Sequence, residues 1–146
     1  MSAAHPLLDV LVALFCRPGG AGEGAQDMQR THIAWLLASG QWVAIGGPDG
    51  ALWGWAAFYL TDDAGFTALR DTGFADLVQR AQLVPLTHGD RAYIAAATVR
   101  PGAPRGLYRC LCRRVACAAA AMGARSIGGH ANKRDGRRYW HERLLP

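Results

Sequence analysis

Apolar residues along the chain group into short runs whose spacing predicts helices and strands in turn. The first run, Leu7–Phe15, carries one aspartate and is typical of a buried amphipathic helix. A second helix is expected over about Asp27–Ala38, because aspartate favours the N-cap and Gly40 provides a stop. The glycine-rich residues 17–26 before it predict a flexible loop between the two helices.

The clearest local pattern is a β-hairpin. Two β-rich runs, Gln41–Ile45 and Ala51–Leu60, flank a Gly-Gly-Pro-Asp-Gly turn at residues 46–50. Residues 64–81 then show helical spacing that Gly73 interrupts. The core candidates of that helix are Phe66, Leu69, Phe74, Leu77 and Val78.

The second half of the chain predicts a strand, a loop and a helix in direct succession. Residues 92–99 are apolar on both faces, which is typical of a central strand covered by helices on both sides. Residues 100–106 form a loop rich in Pro and Gly, and residues 107–122 form an amphipathic helix that ends at Gly123. The buried stripe of this helix is expected to hold Leu107, Leu111, Val115, Ala118 and Met122.

Two further elements complete the predicted order. Residues 125–130 predict a short strand, and residues 135–144 predict a final basic helix. The order α, α, β-hairpin, α, β, α, β, α indicates an α/β fold in which a mixed β-sheet with at least one parallel pair is flanked by helices. With 146 residues, 51% of them hydrophobic, residues 1–146 suit a single domain with one core.

Targeting and metal signals are weak. No apolar run reaches the roughly 18 residues of a membrane helix, and no positive segment precedes the N-terminal apolar run. We therefore expect a cytoplasmic protein with no membrane span.

Three of the four cysteines fall at spacings that fit neither a disulfide nor a zinc site, so we expect reduced cysteines that act as small core residues, and no metal. The cysteines are Cys16, Cys110, Cys112 and Cys117.

Charge is distributed unevenly along the chain. Residues 1–99 carry five basic and nine acidic residues, a net charge of −4, whereas residues 100–146 carry eleven basic and two acidic residues, a net charge of +9. A concentrated basic half indicates an anionic partner: cofactor phosphates, an acidic protein or a nucleic acid. Within the basic C-terminal segment, 133–146, the candidates for nucleic-acid contact are Lys133, Arg134, Arg137 and Arg138.

The loop between the central strand and the following helix has the chemistry of a phosphate site. It contains Arg100, Gly102, Arg105 and Gly106 and opens into a helix at Leu107. A helix N-terminus presents unpaired backbone N–H groups, glycines let a phosphate approach the backbone, and arginines add forked donors. These five residues are the predicted cofactor-binding residues.

The same unit resembles the GNAT acyltransferase fold over about residues 27–141. In that fold the loop after the central strand holds the pyrophosphate of coenzyme A, and here it corresponds to Val99-Arg-Pro-Gly-Ala-Pro-Arg-Gly-Leu107. The resemblance implies an acyl-CoA as donor. A last hairpin, usual in that fold, would be missing or very short here.

A narrower resemblance is to the RTX toxin-activating lysine-acyltransferases. It is carried by Thr87-His-Gly-Asp-Arg-Ala-Tyr93, by Arg100-Pro-Gly102 and by Gly106-Leu-Tyr-Arg-Cys-Leu-Cys-Arg-Arg-Val115. These enzymes move a fatty acyl group from acyl carrier protein to a protein lysine. The resemblance implies acyl carrier protein as an alternative donor and a protein as an acceptor.

The catalytic residues of that narrower family have no counterpart at their places. No histidine follows Pro18, and the aspartate of the central strand corresponds to Ala96 or Ala97. Acyl transfer to an amine needs a base and a group that stabilises the oxyanion. The first candidates are His88 and Asp90 as bases and Tyr93 as a group that orients or protonates the leaving thiolate. Further candidates are His32, His130, His141, Thr98, Tyr108 and Tyr139.

Three functions remain open at this point. The first is acyl transfer from an acyl-CoA or acyl carrier protein to an amine of a protein or a small molecule. The second is a binding or structural module that has kept the fold without catalysis, contacts protein or nucleic acid through its basic half and is of phage-related type. The third is a GNAT-fold enzyme that modifies nucleic-acid bases.

Overall fold

A computed structural model of the chain describes residues 5–15, 23–72, 89–132 and 138–146. Within these ranges the chain forms helices and strands in the order α, α, β, β, α, β, α, β, β. The helices are α1 (Leu8–Phe15), α2 (Glu23–Ser39), α3 (Asp63–Thr72) and α4 (Leu107–Ala121). The strands are β1 (Trp42–Gly46), β2 (Leu52–Thr61), β3 (Arg91–Val99), β4 (Ser126–Asn132) and β5 (Arg138–Leu144).

The five strands form one sheet in the order β1-β2-β3-β4-β5. Strands β3 and β4 run parallel, joined by the crossover through α4, and the other neighbours are antiparallel. The predicted mixed sheet with a parallel pair is therefore confirmed, and so is the central place of the strand predicted at 92–99.

The predicted hairpin is also confirmed. Strands β1 and β2 pair from Trp42 opposite Ala57 onward. At the turn, the Gly50 amide donates to the Gly47 carbonyl at 3.0 Å, and Gly50 has a φ of +78°, a conformation that glycine adopts without the strain a Cβ would cause. The Asp49 carboxylate accepts a hydrogen bond from the Ala51 amide at 3.1 Å, the local bonding that favours aspartate in turns.

Helices cover both faces of the sheet. One face packs against α1, α2 and α3, where Trp55, Tyr59 and Tyr93 meet Leu11 and Leu69. The opposite face packs against α4 through a second group of buried apolar residues. Its members from the sheet and the helix are Ile45, Ala56, Phe58, Leu60, Ala92, Ile127, Leu111, Val115 and Ala119.

A β-bulge interrupts the side-chain alternation of β3. Ala57 of β2 lies opposite Ala96, and the next residue, Phe58, lies opposite Ile94, so Ala95 is the extra residue. As a result Ile94 before the bulge and Ala97 after it both pack on the α4 face.

The predicted basic helix at 135–144 is wrong. Residues 138–144 form β5, which pairs antiparallel with β4 along its whole length. The physical reason is burial across the sheet: Trp140 packs with Phe66 and Tyr93 beneath the sheet, and adjacent aromatic residues favour strand geometry. Pairing with β4 and packing of Trp140 against Phe66 of α3 thus override a helical spacing of basic residues.

Three smaller expectations also need correction or fall outside the structure. Helix α2 begins at Glu23, so residues 23–26 are helical rather than loop; a single glycine such as Gly24 costs a helix only about 1 kcal/mol. Met122 follows the end of α4 and is 48% exposed, so it is not part of the buried stripe. Helix α3 ends at Thr72, and the remainder of the predicted 64–81 helix and of the 17–26 loop lies outside the described residues.

Gly128 of β4 is required by close packing. A Cβ there would lie 2.7 Å from Trp140 Cζ2 and 2.9 Å from Phe66 Cζ, the tips of two rings that pack edge to face. We expect Gly128→Ala to reduce the free energy of unfolding by about 1–3 kcal/mol through overpacking. Chemical denaturation measures this, with Gly46→Ala as control, since a Cβ at Gly46 would meet only the Ala51 carbonyl oxygen at 3.8 Å. Equal stability losses in both variants would contradict the packing explanation.

Candidate functional site

The parallel strands β3 and β4 are joined only at one end. Their register covers three pairs, from Arg91 opposite Ser126 to Tyr93 opposite Gly128. In the described part of the chain, β3 has no strand partner on its β4 side from Ile94 to Val99. The two strands therefore enclose an opening, which we call the wedge: its closed end is at Tyr93 and Gly128, and its open end is at Val99.

The wedge exposes the middle of the sheet. The six residues Ile94–Val99 are all partly exposed, although β3 is the third of five strands and has helices on both faces. A central strand of apolar residues is normally buried on both faces. Exposure of Ile94, Ala97 and Val99 in this position indicates a cleft that passes through the sheet.

Backbone polar groups line one wall of this cleft. The Arg100 amide donates to the Trp53 carbonyl at 2.7 Å, which places Arg100 in a hydrogen-bonded pair with β2. Such pairs alternate along an antiparallel ladder, so Thr98 bonds to β2 while Ala97 and Val99 direct their N–H and C=O groups away from β2, into the wedge. Backbone groups on such an edge can pair with an extended ligand.

The loop at the open end of the wedge consists of two tight turns. The Ala103 amide donates to the Arg100 carbonyl at 3.0 Å, and the Leu107 amide donates to the Pro104 carbonyl at 3.2 Å. Gly102 and Gly106 have φ values of +83° and +90°, which suit the third residue of a type II turn. The predicted loop residues are thus brought together at the mouth of the wedge, with the side chains of Arg100 and Arg105 exposed.

Helix α4 begins at this loop without a side-chain cap. Gly106 occupies the N-cap, so the first intrahelical bond is from the Cys110 amide to the Gly106 carbonyl at 3.1 Å. The amides of Tyr108 and Arg109 lie in the first turn, whose N–H groups point out of the helix. The helix dipole and the two loop arginines make this end of the wedge electropositive.

Tyr108 stands beside the mouth of the wedge. Its side chain hydrogen-bonds with Cys112 one turn further along α4, and Tyr139 of β5 lies near enough to interact with it electrostatically. Burial raises the pKa of the Tyr108 phenol; the charge of Cys112, its hydrogen bond and the charge of Tyr139 raise this pKa further. The phenol therefore keeps its proton, and so its capacity to donate, to a higher pH than an ordinary tyrosine does.

A hydrogen-bonded pair lies at the closed end of the wedge. The Tyr93 hydroxyl oxygen is 3.0 Å from Nδ1 of His130, and Nε2 of His130 is 3.0 Å from the Arg70 carbonyl oxygen. Trp140 packs against both rings, with centroids 6.1 Å from Tyr93 and 5.1 Å from His130. The structure thus joins Tyr93 to His130, two residues that the sequence placed on separate elements.

Asp90 occupies the opposite end of β3 from the loop. Its carboxylate pairs with Arg125 at 2.6 Å, and its carbonyl accepts from the Arg125 amide at 2.7 Å. Arg125 also contacts Asp63, which bonds to Arg91 at 2.7 Å. Asp90 therefore belongs to an ion-pair network that joins α3, β3 and β4. His88, the other predicted base, lies outside the described residues.

The remaining candidate residues are spread over the fold. His32 lies half-buried on α2, and burial lowers the pKa of its imidazole. His141 is exposed on β5, and Thr98 shares the face of its β2 partner Trp55. Lys133, Arg134 and Arg137 lie outside the described residues, whereas Arg138 begins β5.

The cysteines on α4 differ from the expectation of core residues. Cys110 and Cys117 are exposed and Cys112 is half-buried; all three are free thiols. Cys110 and Cys117 lie on a helix face that turns away from the apolar contact with the sheet, which uses Leu111 and Val115 instead. Cys16 lies outside the described residues.

Two features are absent from the part of the chain that the structure describes. Among residues 5–15, 23–72, 89–132 and 138–146, no group of three or more His, Cys, Asp or Glu side chains is placed to hold a metal ion. Within the same ranges, no helix combines the length and the apolar character needed to cross a bilayer.

Solved structures share this arrangement of sheet and helices. A GphF GNAT-like decarboxylase in complex with isobutyryl-CoA is 18% identical, with a TM-score of 0.64 over 88% of this chain and 63% of that chain. A structure described as an acetyltransferase is 13% identical, with a TM-score of 0.51 over 97% of this chain and 86% of that chain. N-acetylglutamate synthase from Neisseria gonorrhoeae, complexed with coenzyme A and N-acetyl-glutamate, is 16% identical, with a TM-score of 0.49 over 92% and 24%.

The likeness to the first two structures establishes a GNAT-like α/β fold for this chain. The chain spans 63% of the length of the decarboxylase that it matches. Neither protein-family models nor curated protein sequences gave a match to this chain. The narrower resemblance to toxin-activating acyltransferases stays a prediction, since none of the three structures is described as such an enzyme.

The contact between Tyr108 and Cys112 can be tested by titration. We expect Cys112→Ala to lower the pKa of Tyr108 towards its ordinary value, because the variant removes both the charge and the hydrogen bond of the thiol. The measurement is the pH dependence of the Tyr108 ring signal by NMR, assigned with Tyr108→Phe. Cys117→Ala, which removes an exposed thiol from the same helix, should leave that pKa unchanged. An unchanged Tyr108 titration in Cys112→Ala would contradict the contact.

Proposed function

We propose that the chain binds an acyl-CoA in the wedge between β3 and β4 and transfers the acyl group to an amine. The observation that carries the proposal is the coincidence of an opening in the centre of the sheet with a basic, uncapped helix start at its mouth. The fold shared with an isobutyryl-CoA complex and with an acetyltransferase supports a thioester of coenzyme A as the ligand.

The loop and the start of α4 would hold the phosphates. Arg100 and Arg105 offer forked donors, and the amides of Tyr108 and Arg109 lie in the first turn of a helix whose dipole favours an anion. At Gly102 and Gly106 a Cβ would meet nothing within 4 Å, so space beside the loop is open to a ligand. Leu107, partly exposed, closes the cradle from the helix side.

The pantetheine arm would pair with the free edge of β3. This arm carries two amide groups, and an extended amide-containing chain can hydrogen-bond to backbone groups in the manner of an added strand. Ala97 and Val99 direct their backbone groups to this position. The small side chains of Ala95, Ala96 and Ala97 leave room for the arm beside the strand.

The length of the wedge fits this arrangement. Val99 and Tyr93 are six residues apart on β3, which corresponds to about 20 Å at about 3.3 Å per residue. An extended pantetheine arm is of comparable length. With its phosphates at the loop, the thioester would therefore reach the closed end, beside Tyr93 and His130, where the acceptor amine would attack it.

The same geometry suits a phosphopantetheine arm attached to acyl carrier protein. The exposed arginines of α4 after its first turn, Arg113 and Arg114, continue the basic surface from the loop. An acidic carrier would find complementary charge there. We therefore include acyl carrier protein as an alternative donor and take coenzyme A as the form to test first.

The phosphate site predicts a charge-dependent affinity. Wild-type protein should bind acetyl-CoA in isothermal titration calorimetry, and Arg105→Glu should weaken binding about 10- to 100-fold, since charge-assisted hydrogen bonds contribute about 1.5–3 kcal/mol each. Arg143→Glu is the matched control, because it makes the same charge change on β5 opposite Ile127, towards the other end of the sheet.

Equal weakening by Arg105→Glu and Arg143→Glu would mean that net charge rather than the loop decides the affinity. Absence of binding by acetyl-CoA, by free coenzyme A and by acyl carrier protein would contradict the proposal.

A further inference from the structure

We propose that His130, held by the Arg70 carbonyl, positions the Tyr93 hydroxyl as the group that takes a proton from the attacking amine. This inference rests on the proposed function and assigns the proton path of that same site. Tyr93 is the catalytic residue of the path because it would face the reacting atoms at the closed end of the wedge. His130 acts through Tyr93 and is a positioning residue that also stores the proton.

The direction of the hydrogen bonds follows from the chemistry of the partners. A carbonyl oxygen only accepts, so Nε2 of His130, 3.0 Å from the Arg70 carbonyl, carries the hydrogen. In the neutral imidazole Nδ1 is then the acceptor, and the Tyr93 hydroxyl, 3.0 Å away, donates to it. The chain Tyr93–His130–Arg70 therefore has one order: hydroxyl to imidazole to backbone carbonyl.

In this arrangement a histidine can activate a hydroxyl group while an acceptor fixes the second ring nitrogen of the histidine. A backbone carbonyl holds the ring in the correct tautomer without itself titrating. Because Arg70 lies on α3 and His130 on β4, the bond also ties the helix to the wall of the wedge. Tyr93 as a residue is only 4% exposed, so packing restricts the rotation of its side chain.

Groups from three elements surround His130. Among the described residues it contacts Tyr93 from β3, the Arg70 backbone from α3 and Trp140 from β5. The Arg70 side chain is paired with Asp71 at 3.0 Å. The nearest described charges on β3 and β5, Arg91 and Glu142, bond to each other at 3.1 Å at the closed end of the wedge.

In the transfer step the acyl group moves from sulfur to nitrogen. The neutral amine nitrogen forms a bond to the thioester carbonyl carbon, and the carbon–sulfur bond breaks. The proton lost by that nitrogen passes to the Tyr93 oxygen while the Tyr93 proton passes to Nδ1 of His130, which becomes an imidazolium. The imidazolium then returns its proton through Tyr93 to the coenzyme A thiolate, so the proton that leaves nitrogen ends on sulfur.

The experiment measures thiol release from acetyl-CoA with ethylamine and with Nα-acetyl-lysine as acceptors. Tyr93→Phe and His130→Gln should each lower the rate about 100-fold or more while the dissociation constant of acetyl-CoA changes less than twofold. The double variant should be no slower than either single variant, because the two residues act as one path. His141→Gln is the control, as it makes the same change one position along the neighbouring strand at an exposed side chain.

Two readouts separate a proton path from a structural role. After correction for the fraction of neutral amine at each pH, the wild-type rate should still fall as the pH falls, because a protonated Nδ1 of His130 no longer accepts. The corrected residual rate of His130→Gln should lack this dependence. Nitrogen-15 NMR of neutral His130 should show the hydrogen on Nε2. A hydrogen on Nδ1, or rates within threefold of wild type in both variants, would overturn the inference.

The outcomes also distinguish this inference from the proposed function. If acetyl-CoA binds but no acceptor or water promotes thiol release, the proton path is overturned while the binding site stands. If no thioester binds at all, the proposed function fails first and the path fails with it.

Discussion

The structure depends on where the pairing of β3 and β4 stops. Three residue pairs hold the parallel strands together, and beyond Tyr93 and Gly128 the strands separate. A parallel sheet normally buries its central strands under helices, so a gap there exposes apolar residues and unpaired backbone groups at a cost. In the proposed complex this cost would be offset by the pantetheine arm, which offers both apolar contact and amide groups.

The closed end of the wedge is secured by a dense set of contacts. Arg91 bonds to Asp63 of α3 and to Glu142 of β5, and its guanidinium lies 4.1 Å from the centre of the Phe66 ring. Its side chain is only 19% exposed, so these bonds are less screened than those of surface pairs. Trp140 and Phe66 fill the space beneath Gly128. Strands β3 and β4 are therefore held together at the closed end of the wedge and separate towards its open end.

Local features of the sequence predicted much of this fold. The Gly-Gly-Pro-Asp-Gly turn between two β-rich runs identified the hairpin, and the Pro/Gly loop before an amphipathic helix identified the junction of β3 and α4. Both depend on residues that are neighbours in the chain. Strand β5 was mistaken for a helix because its placement depends on the contact of Trp140 with Phe66, 74 positions earlier in the numbering.

Only the loop at the open end of the wedge was predictable as part of the candidate site. Arg100, Gly102, Arg105 and Gly106 are contiguous, so their meeting needed no knowledge of the fold. The wedge itself arises from the divergence of β3 and β4 and from the bulge at Ala95. Neither feature can be recognised from the spacing of apolar residues in the sequence. Likewise, a hydrogen bond joins Tyr93 to His130, which are 37 positions apart in the chain and have the whole of α4 between them. From the sequence alone, His130 was one candidate among several. The parallel pairing of β3 with β4 brings it next to Tyr93.

Amide hydrogen exchange of the free edge of β3 tests the central claim most directly. The amides of Ala97 and Val99, which point into the wedge, should exchange quickly in the unliganded protein and become protected when acetyl-CoA is added. The Thr98 amide, bonded to β2, should be protected in both states. Unchanged exchange at Ala97 and Val99 under saturating acetyl-CoA, with protection appearing elsewhere in the chain, would show that the wedge is not the binding site.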